Sequence, residues 1–298
     1  MKGIGTKTDP FIVENYDDFC NMKGGNDKYY KLDTDIDFSL IDTRKPDDSS
    51  VNVSFKELDG NNHTISNYFR RESDNENVNS LFKSGSEFTL RNLNFKGIYL
   101  VGGNTQLCDT GNSVAVYYDS CHIEIKIADT YPTSNSRPVF GIGIFKDCEI
   151  LVEGTSKYTK MLAEYASLKG SFNGCLVKVN LHFENPSSTS SAYPLCGTDF
   201  LYSGLVGKIT NSKSANTNIK LVDKRCMFSY IAVDMDAIGS NFTAGSWEGV
   251  NFYDKEVMAN IVDKMPSNSH LFALTTEQCK DADYLQSIGF PCLWGESV

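Results

Sequence analysis

The sequence predicts an all-β fold, a parallel β-helix, and three observations carry that prediction. First, "YYDSC", "IFKDC" and "SFNGC" end at Cys121, Cys148 and Cys175, so an aromatic, two mostly polar residues and a cysteine return every 27 positions. Internal repetition at roughly 20 to 50 residues marks stacked architectures. Second, the residues after each cysteine alternate. In "CHIEIKI", Cys121, Ile123, Ile125 and Ile127 share one face while His122, Glu124 and Lys126 share the other, and "CLVKVNLHF" groups Cys175, Val177, Val179, Leu181 and Phe183 in the same way. Such alternation is the pattern of a half-buried strand. Third, no helical apolar pattern separates the copies, and the spacing is too short for a β-propeller blade of about 40 to 45 residues. Equivalent strands of successive turns then stack about 4.8 Å apart, aromatic over aromatic and cysteine over cysteine.

The first elements are carried by "GIGTKTDPFIVENYDDFCNM", "YYKLDTDIDFS", "FKELDGNNHTIS" and "NSLFKSGSEFTLRNLNFKG". Together they resemble the opening of pectate-lyase-like right-handed β-helix proteins, including GLUG-type repeats of bacterial surface adhesins and virion proteins of bacteriophages. Those proteins begin with a GxGTxxDPY-like stretch, a short helix, a YxLxxDIDF strand, a DGNxHTI turn and an LFxxxxxxTIxNL rung. The resemblance covers roughly residues 3 to 97. It implies a right-handed coil and a capping helix near residues 15 to 23, and its motifs are architectural, carrying fold and not activity.

The body continues the repeat, written as a large apolar residue, two variable residues, a second apolar or small residue, one variable residue and a third apolar residue. It matches Leu90/Leu93/Phe95, Tyr118/Cys121/Ile123, Phe145/Cys148/Ile150, Phe172/Cys175/Val177, Leu201/Gly204/Val206, Phe228/Ile231/Val233 and Trp247/Val250/Phe252. That makes about six to seven rungs. Because Leu, Gly, Ile and Val share the central slot with cysteine, the thiols read as small buried hydrophobes and not as metal ligands. Tyr118, Cys121, Phe145, Cys148, Phe172, Cys175, Phe228 and Ile231 are therefore expected to form an internal structural ladder.

At the far end, "LTTEQCKDADYLQSIGFPCLWGES" resembles the terminal segment of the same family, where a helix leads into a strand. Thr275 with Gln278 can form a capping box, Cys279, Ala282 and Leu285 fall on one helical face, and Gly289 supplies a stop. "DKEVMANIVDKM" at 254 to 265 is a further helical candidate. An open coil exposes strand edges and core at both ends, so helices are expected there as covers. The expected organisation is one continuous domain: 1–54 as N-terminal cap and first strands, 55–253 as β-helix body, 254–298 as helix and strand cap.

Composition narrows function by exclusion. The 298 residues, 40% hydrophobic, suffice for a large core, and a formal charge of -10 opposes binding to nucleic acid or an anionic membrane. "MKGIGTKTDPFIV" lacks the apolar stretch of a signal peptide, and no run approaches the roughly 18 residues of a membrane span. Synthesis in the cytoplasm is expected. Nine cysteines without a CxxC pair indicate neither a disulfide framework nor a zinc site. The sequons at Asn52, Asn62 and Asn241 count only in a secretory pathway.

Candidate chemistry is sparse. In "VDMDAIG", Asp234 and Asp236 would point outward about 7 Å apart, a spacing compatible with the roughly 6.5 to 9.5 Å of an inverting glycosidase pair. No nearby Lys or Arg suits a lyase, and an outward Lys178 would neutralise the pair. "DTDID" at 33 to 37 lacks the glycine and glutamate of a calcium loop. His63, His122, His182 and His270 are scattered, and neither a nucleophile elbow nor a phosphate loop is present. No catalytic residue beyond the candidates Asp234 and Asp236, no metal and no cofactor is expected.

The expectation is a non-catalytic structural or host-attachment component of a bacteriophage virion, in tail, baseplate, collar or capsid decoration, located in the particle after synthesis in the host cytoplasm. Its partners would be other virion proteins and a host surface glycan or protein, within a homo-oligomer, without nucleic acid or membrane insertion. The alternatives are a glycan-cleaving depolymerase, lyase or glycosidase, and a bacterial surface adhesin.

Overall fold

The computed structural model describes residues 1–39, 51–52, 55–71, 80–101, 105–109, 114–129, 139–140, 142–158, 169–185, 223–224, 227–232, 247–248, 250–256 and 271–290. Among them the strands form three sheets, and every pairing between strands is parallel. The first sheet stacks Phe11–Val13, Tyr29–Leu32, Glu57–Asp59, Phe88–Arg91, Ala115–Asp119, Ile142–Lys146, Lys169–Asn173, Asp223–Lys224 and Trp247–Glu248. The second stacks Ile36–Asp37, Thr64–Ser66, Asn94–Val101, His122–Asp129, Glu149–Tyr158, Leu176–Asn185, Met227–Ala232, Asn251–Asp254 and Leu271–Leu274, with Phe69–Arg71 also beside Asn94–Val101. The third joins Val51–Asn52, Ser80–Lys83 and Gln106–Asp109. Through the body the chain visits the first sheet, turns a corner, and enters the second before returning one rung on. This is an all-β parallel solenoid with a few short helices.

The repeat seen in the sequence is a corner. Asp119, Lys146 and Asn173 end strands of the first sheet, and the next residue adopts left-handed backbone: φ is 57° at Ser120, 51° at Asp147 and 70° at Gly174, after 48° at Asn92 one turn earlier. Glycine and short polar residues tolerate that conformation best, which explains the composition of this position. The corner amides remain satisfied by the next rung. Asn92 N–H donates to Asp119 O at 2.9 Å, Ser120 N–H to Lys146 O and Asp147 N–H to Asn173 O at 2.8 Å each. The following residue, Leu93, Cys121, Cys148 or Cys175, turns inward and opens the second sheet, where His122 N–H donates to Leu93 O, Glu149 N–H to Cys121 O and Leu176 N–H to Cys148 O at 2.9 Å.

Inside, one column runs through Phe11, Tyr30, Leu58, Leu90, Tyr118, Phe145 and Phe172 as successive Cα partners. Tyr118 and Phe145 stack at 4.6 Å between centroids and 10°, and Phe145 and Phe172 at 5.1 Å and 12°. Phe140 meets Tyr118 and Phe145 edge-on, and its carbonyl accepts the buried Tyr118 hydroxyl at 3.2 Å. Burying each such side chain stabilises the fold by about 1.5–3 kcal/mol. Cys121, Cys148 and Cys175 form the adjacent column, at most 2% exposed. Their thiols donate to backbone carbonyls, Cys121 to Leu90 O at 3.4 Å, Cys148 to Lys146 O at 3.2 Å and Cys175 to Asn173 O at 3.5 Å. Burial pushes the Cys108 thiol up to about 12 and that of Cys121 well above the ordinary range.

Beyond Cys175 the register departs from the expected repeat. Leu176–Asn185 pairs directly with Met227–Ala232, setting Val177 opposite Phe228 and Asn180 opposite Ile231. Phe228 therefore continues the column of Phe95, Ile123, Ile150 and Val177, and not that of Phe145 and Phe172. Ile231 continues the column of Tyr99, Lys126, Glu153 and Asn180. The expected rung Leu201/Gly204/Val206 and Val233 lie outside the described residues. Asn173 and Lys224 are nevertheless neighbours on the first sheet. Val250, expected in a central apolar slot, is 44% exposed.

Helices flank the coil. At the N-terminal end Asn15 caps Tyr16–Cys20, its side chain accepting from Asp18 N–H, and buried Phe19 packs on Phe38 and Phe82. Lys2 bridges antiparallel to Ile12 beside the first strand of the first sheet. At the other end Thr275 and Gln278 form the expected capping box. The single helix expected there is two, Thr276–Lys280 and Ala282–Ser287, because Asp281 ends the first and caps the second. The candidate at 254 to 265 begins with Asp254 ending a strand, and 257–265 lies outside the described residues.

Candidate functional surface

With the interior made mostly of apolar side chains, the clusters of charged groups lie at the outward positions of the two long sheets. On the first sheet one outward column reads Lys31, Asp59, Arg91, Asp119, Lys146, Asn173 in successive rungs, with Lys224 and Glu248 following in register. Charge alternates along most of it. Arg91 Nη2 lies 3.0 Å from Asp119 Oδ2 and Nη1 3.5 Å from Glu57 Oε1, while Lys146 Nζ is 3.5 Å from Asp119 Oδ1. These groups neutralise one another. They read as a zipper between rungs and not as a site.

The second sheet differs. His122 Nδ1 is 2.8 Å from Glu149 Oε2 on the next rung, and its Nε2 is 2.9 Å from Glu124 Oε1 two residues along. The Glu149 side chain is only 7% exposed. Hydrogen bonding to the Glu149 carboxylate, assisted by Glu124 and opposed by burial, raises the imidazole above its ordinary value of 6.5. Along this column, Asn94, His122, Glu149, Leu176, Met227, Phe252 and Phe272 follow one another. The column changes from polar to apolar at Leu176. Leu176 there joins Leu274, Cys279, Leu285 and Phe290 in a cluster separate from the interior, with Phe252 packed against it. The C-terminal helices thus lie on the outward flank of the second sheet. Thr276 Oγ1 donates to buried Asp254 at 3.0 Å, tying the helix to that strand.

Two irregular rungs expose aromatic rings beside this column. Asn94 and Phe95 pair with His122 and Ile123, but Ile98 pairs with Ile125, so Asn94–Val101 carries a one-residue bulge at Lys96 and Gly97, with φ 64° at Gly97. Unbroken alternation from buried Phe95 would send Tyr99 inward; the bulge buries Ile98 and Leu100 and leaves Tyr99 38% exposed. The preceding rung makes the same phase change around Asn67, at φ 58°, with Ile65, Tyr68 and Arg70 buried. Phe69 then sits opposite Tyr99, ring centroids 5.5 Å apart. Beyond Tyr99 come Lys126 and Glu153, paired at 2.8 Å. The sequence signal was "NFKGIYL", where alternation breaks at a glycine.

Asp234, Asp236 and His270 lie outside the described residues. Asp35 receives Thr64 N–H and lies 3.0 Å from His63 Nδ1, and Asp37 receives Ser39 and Asn67, so the "DTDID" carboxylates tie rungs together. Among the described residues no group of three or more His, Cys, Asp or Glu could hold a metal, and no helix is long and apolar enough to cross a membrane. His182 and Lys178 are on strand Leu176–Asn185, opposite Thr155 and Leu151.

No protein-family model matches the sequence, and no curated protein matches it. Among solved structures, the chain is similar to a crystal structure from Bacteroides ovatus that carries the provisional description immunoglobulin A1 protease. Identity is 14%, the TM-score 0.44, and the match covers 96% of this chain and 89% of the other.

Proposed function

We propose that the protein is a non-catalytic structural or host-attachment component of a bacteriophage virion that works by presenting a rigid β-solenoid flank. The observation that supports this best is how the outward ladders are used: Glu57, Arg91, Asp119 and Lys146 bind one another across rungs. Side chains fixed on strands about 4.8 Å apart form a stiff grid suited to broad, shallow contact. Partners are other virion proteins, a host-surface ligand and further copies of the chain.

The test is mass spectrometry of density-banded particles from cells expressing the gene from its native locus. Stoichiometric recovery with the particle supports the role. Abundance in the lysate with absence from particles overturns it.

A second reading, a glycan-cleaving enzyme, draws on His122 held between Glu124 and Glu149, which sets two carboxylates on one outward face. Release of reducing or unsaturated sugar by the wild type, abolished by Glu149→Gln, would establish it in place of the first.

A further inference from the structure

We propose that the outward face of the second sheet around Phe69 and Tyr99 binds an uncharged saccharide chain, which deepens the attachment role proposed above and rests on it. The rungs on either side of this place show what the chain does by default: apolar residues go inward and charged ones outward. Here two successive rungs break phase, at Asn67 and at the Lys96–Gly97 bulge, and both breaks turn an aromatic residue outward. Bulges of this kind re-aim side chains and recur next to functional sites.

The surrounding groups select the ligand. A tilted pair of rings 5.5 Å apart offers flat apolar faces to the C–H side of sugar rings. Next to Tyr99, Lys126 donates and Glu153 accepts, and Glu124 shares the outward side of Lys126's own strand, a mixture that serves hydroxyl groups in both directions. Charge decides against other occupants. His122 and Lys126 are already held by Glu124, Glu149 and Glu153, so neither cation is left to attract phosphate- or carboxylate-bearing ligands to a chain of formal charge -10. A second copy docking the same face would set these acids against themselves. The chain's own C-terminal helices cover the flank from Leu176 onward, while Tyr99 stays exposed. A neutral glycan running across the rungs meets all of these conditions.

The test uses the purified full-length protein on an array of neutral, basic and acidic oligosaccharides, followed by calorimetry on the best ligand. We expect a neutral saccharide to bind with an affinity nearly unchanged between about 50 and 500 mM salt, since no ion pair is made. Tyr99→Ala should weaken it about tenfold or more, and Tyr117→Ala, exposed on the other sheet, should leave it within about twofold. Saturation-transfer NMR on the wild type should pass magnetisation from aromatic protons to sugar ring protons, a readout that does not depend on the variant folding. The proposal falls if no neutral saccharide binds, if a folded Tyr99→Ala binds as the wild type does, if only acidic sugars bind, or if the face captures a basic protein with steep salt dependence. Glycan binding by a protein absent from particles would overturn the virion role alone; particle incorporation without glycan binding would overturn this site alone.

Discussion

Gly174 occupies a corner that Asn92, Ser120 and Asp147 occupy in other turns, all at positive φ. An L-residue with a branched side chain resists that conformation by roughly 1–2 kcal/mol, whereas Asn accepts it by hydrogen-bonding locally. Gly174→Val should therefore lower stability by about that amount and Gly174→Asn should be close to neutral in urea denaturation; equal losses would deny that backbone conformation governs the corner. The interior tolerates less. Phe172 is fully buried and stacked on Phe145, so Phe172→Asp, which buries an unpaired charge, should cost more than about 4 kcal/mol. Cys148→Ala should cost on the order of 1 kcal/mol, since only a sulfur and its weak hydrogen bonds are lost. A Phe172→Asp protein melting like the wild type would remove that residue from the core.

Between rungs, the charge column and the histidine clamp make separate claims. Arg91 serves Glu57 and Asp119 together, with side chains a fifth to a third exposed, so solvent screening keeps its worth to about 1–2 kcal/mol. Arg91→Ala should lose that much, and Arg91→Lys should recover little, because one ammonium cannot span both carboxylates. His122 titrates differently. Its folded pKa lies above 6.5, so its contribution is fully present below pH 6.5 and is lost as pH rises through the folded value. Thermal melts should show a stability loss as pH rises above 6.5 that His122→Gln abolishes; an identical slope in the variant would remove His122 as its source. Both devices were partly legible. Period-two alternation placed His122, Glu124 and Lys126 outward, but pairing across rungs needs the register, and the register was readable only while the repeat length held. It departs after Cys175, where Phe228 pairs with Val177 and not with the column of Phe172. The truer signal was local: "KRCMF" at 224–228 copies the pattern of "NGCLV" at 173–177, and Lys224 and Met227 do pair with Asn173 and Leu176. The Tyr99 face was missed for the opposite reason, since a bulge inverts alternation without changing composition.

At the scale of the molecule, two apolar clusters among the described residues decide how the chain opens. The interior cluster runs from Val13 to Cys175, whereas Leu176, Leu274, Cys279, Leu285 and Phe290 form their own cluster on the flank of the second sheet. In stacked proteins each unit is held mainly by its neighbours, so regions with few buried contacts open at lower cost than the continuous core. Cysteines report on each region. Cys279 sits in the flank cluster, while Cys121, Cys148 and Cys175 sit in the ladder, all of them buried. In increasing denaturant, thiol labelling read by mass spectrometry should reach Cys279 first and the ladder cysteines later and together. Leu285→Asp should sharpen the contrast: a charge in the small cluster should bring Cys279 labelling to lower denaturant by about 1 M or more, given a loss of about 2–4 kcal/mol and urea slopes of about 1–3 kcal/mol per molar. The midpoint for Cys121, Cys148 and Cys175 should stay within about 0.3 M of the wild type, because those side chains share no contact cluster with Leu285. If all four cysteines become reactive at one midpoint in the wild type and shift together in the variant, the two clusters form a single cooperative unit, and the flank helices stabilise the solenoid as a whole.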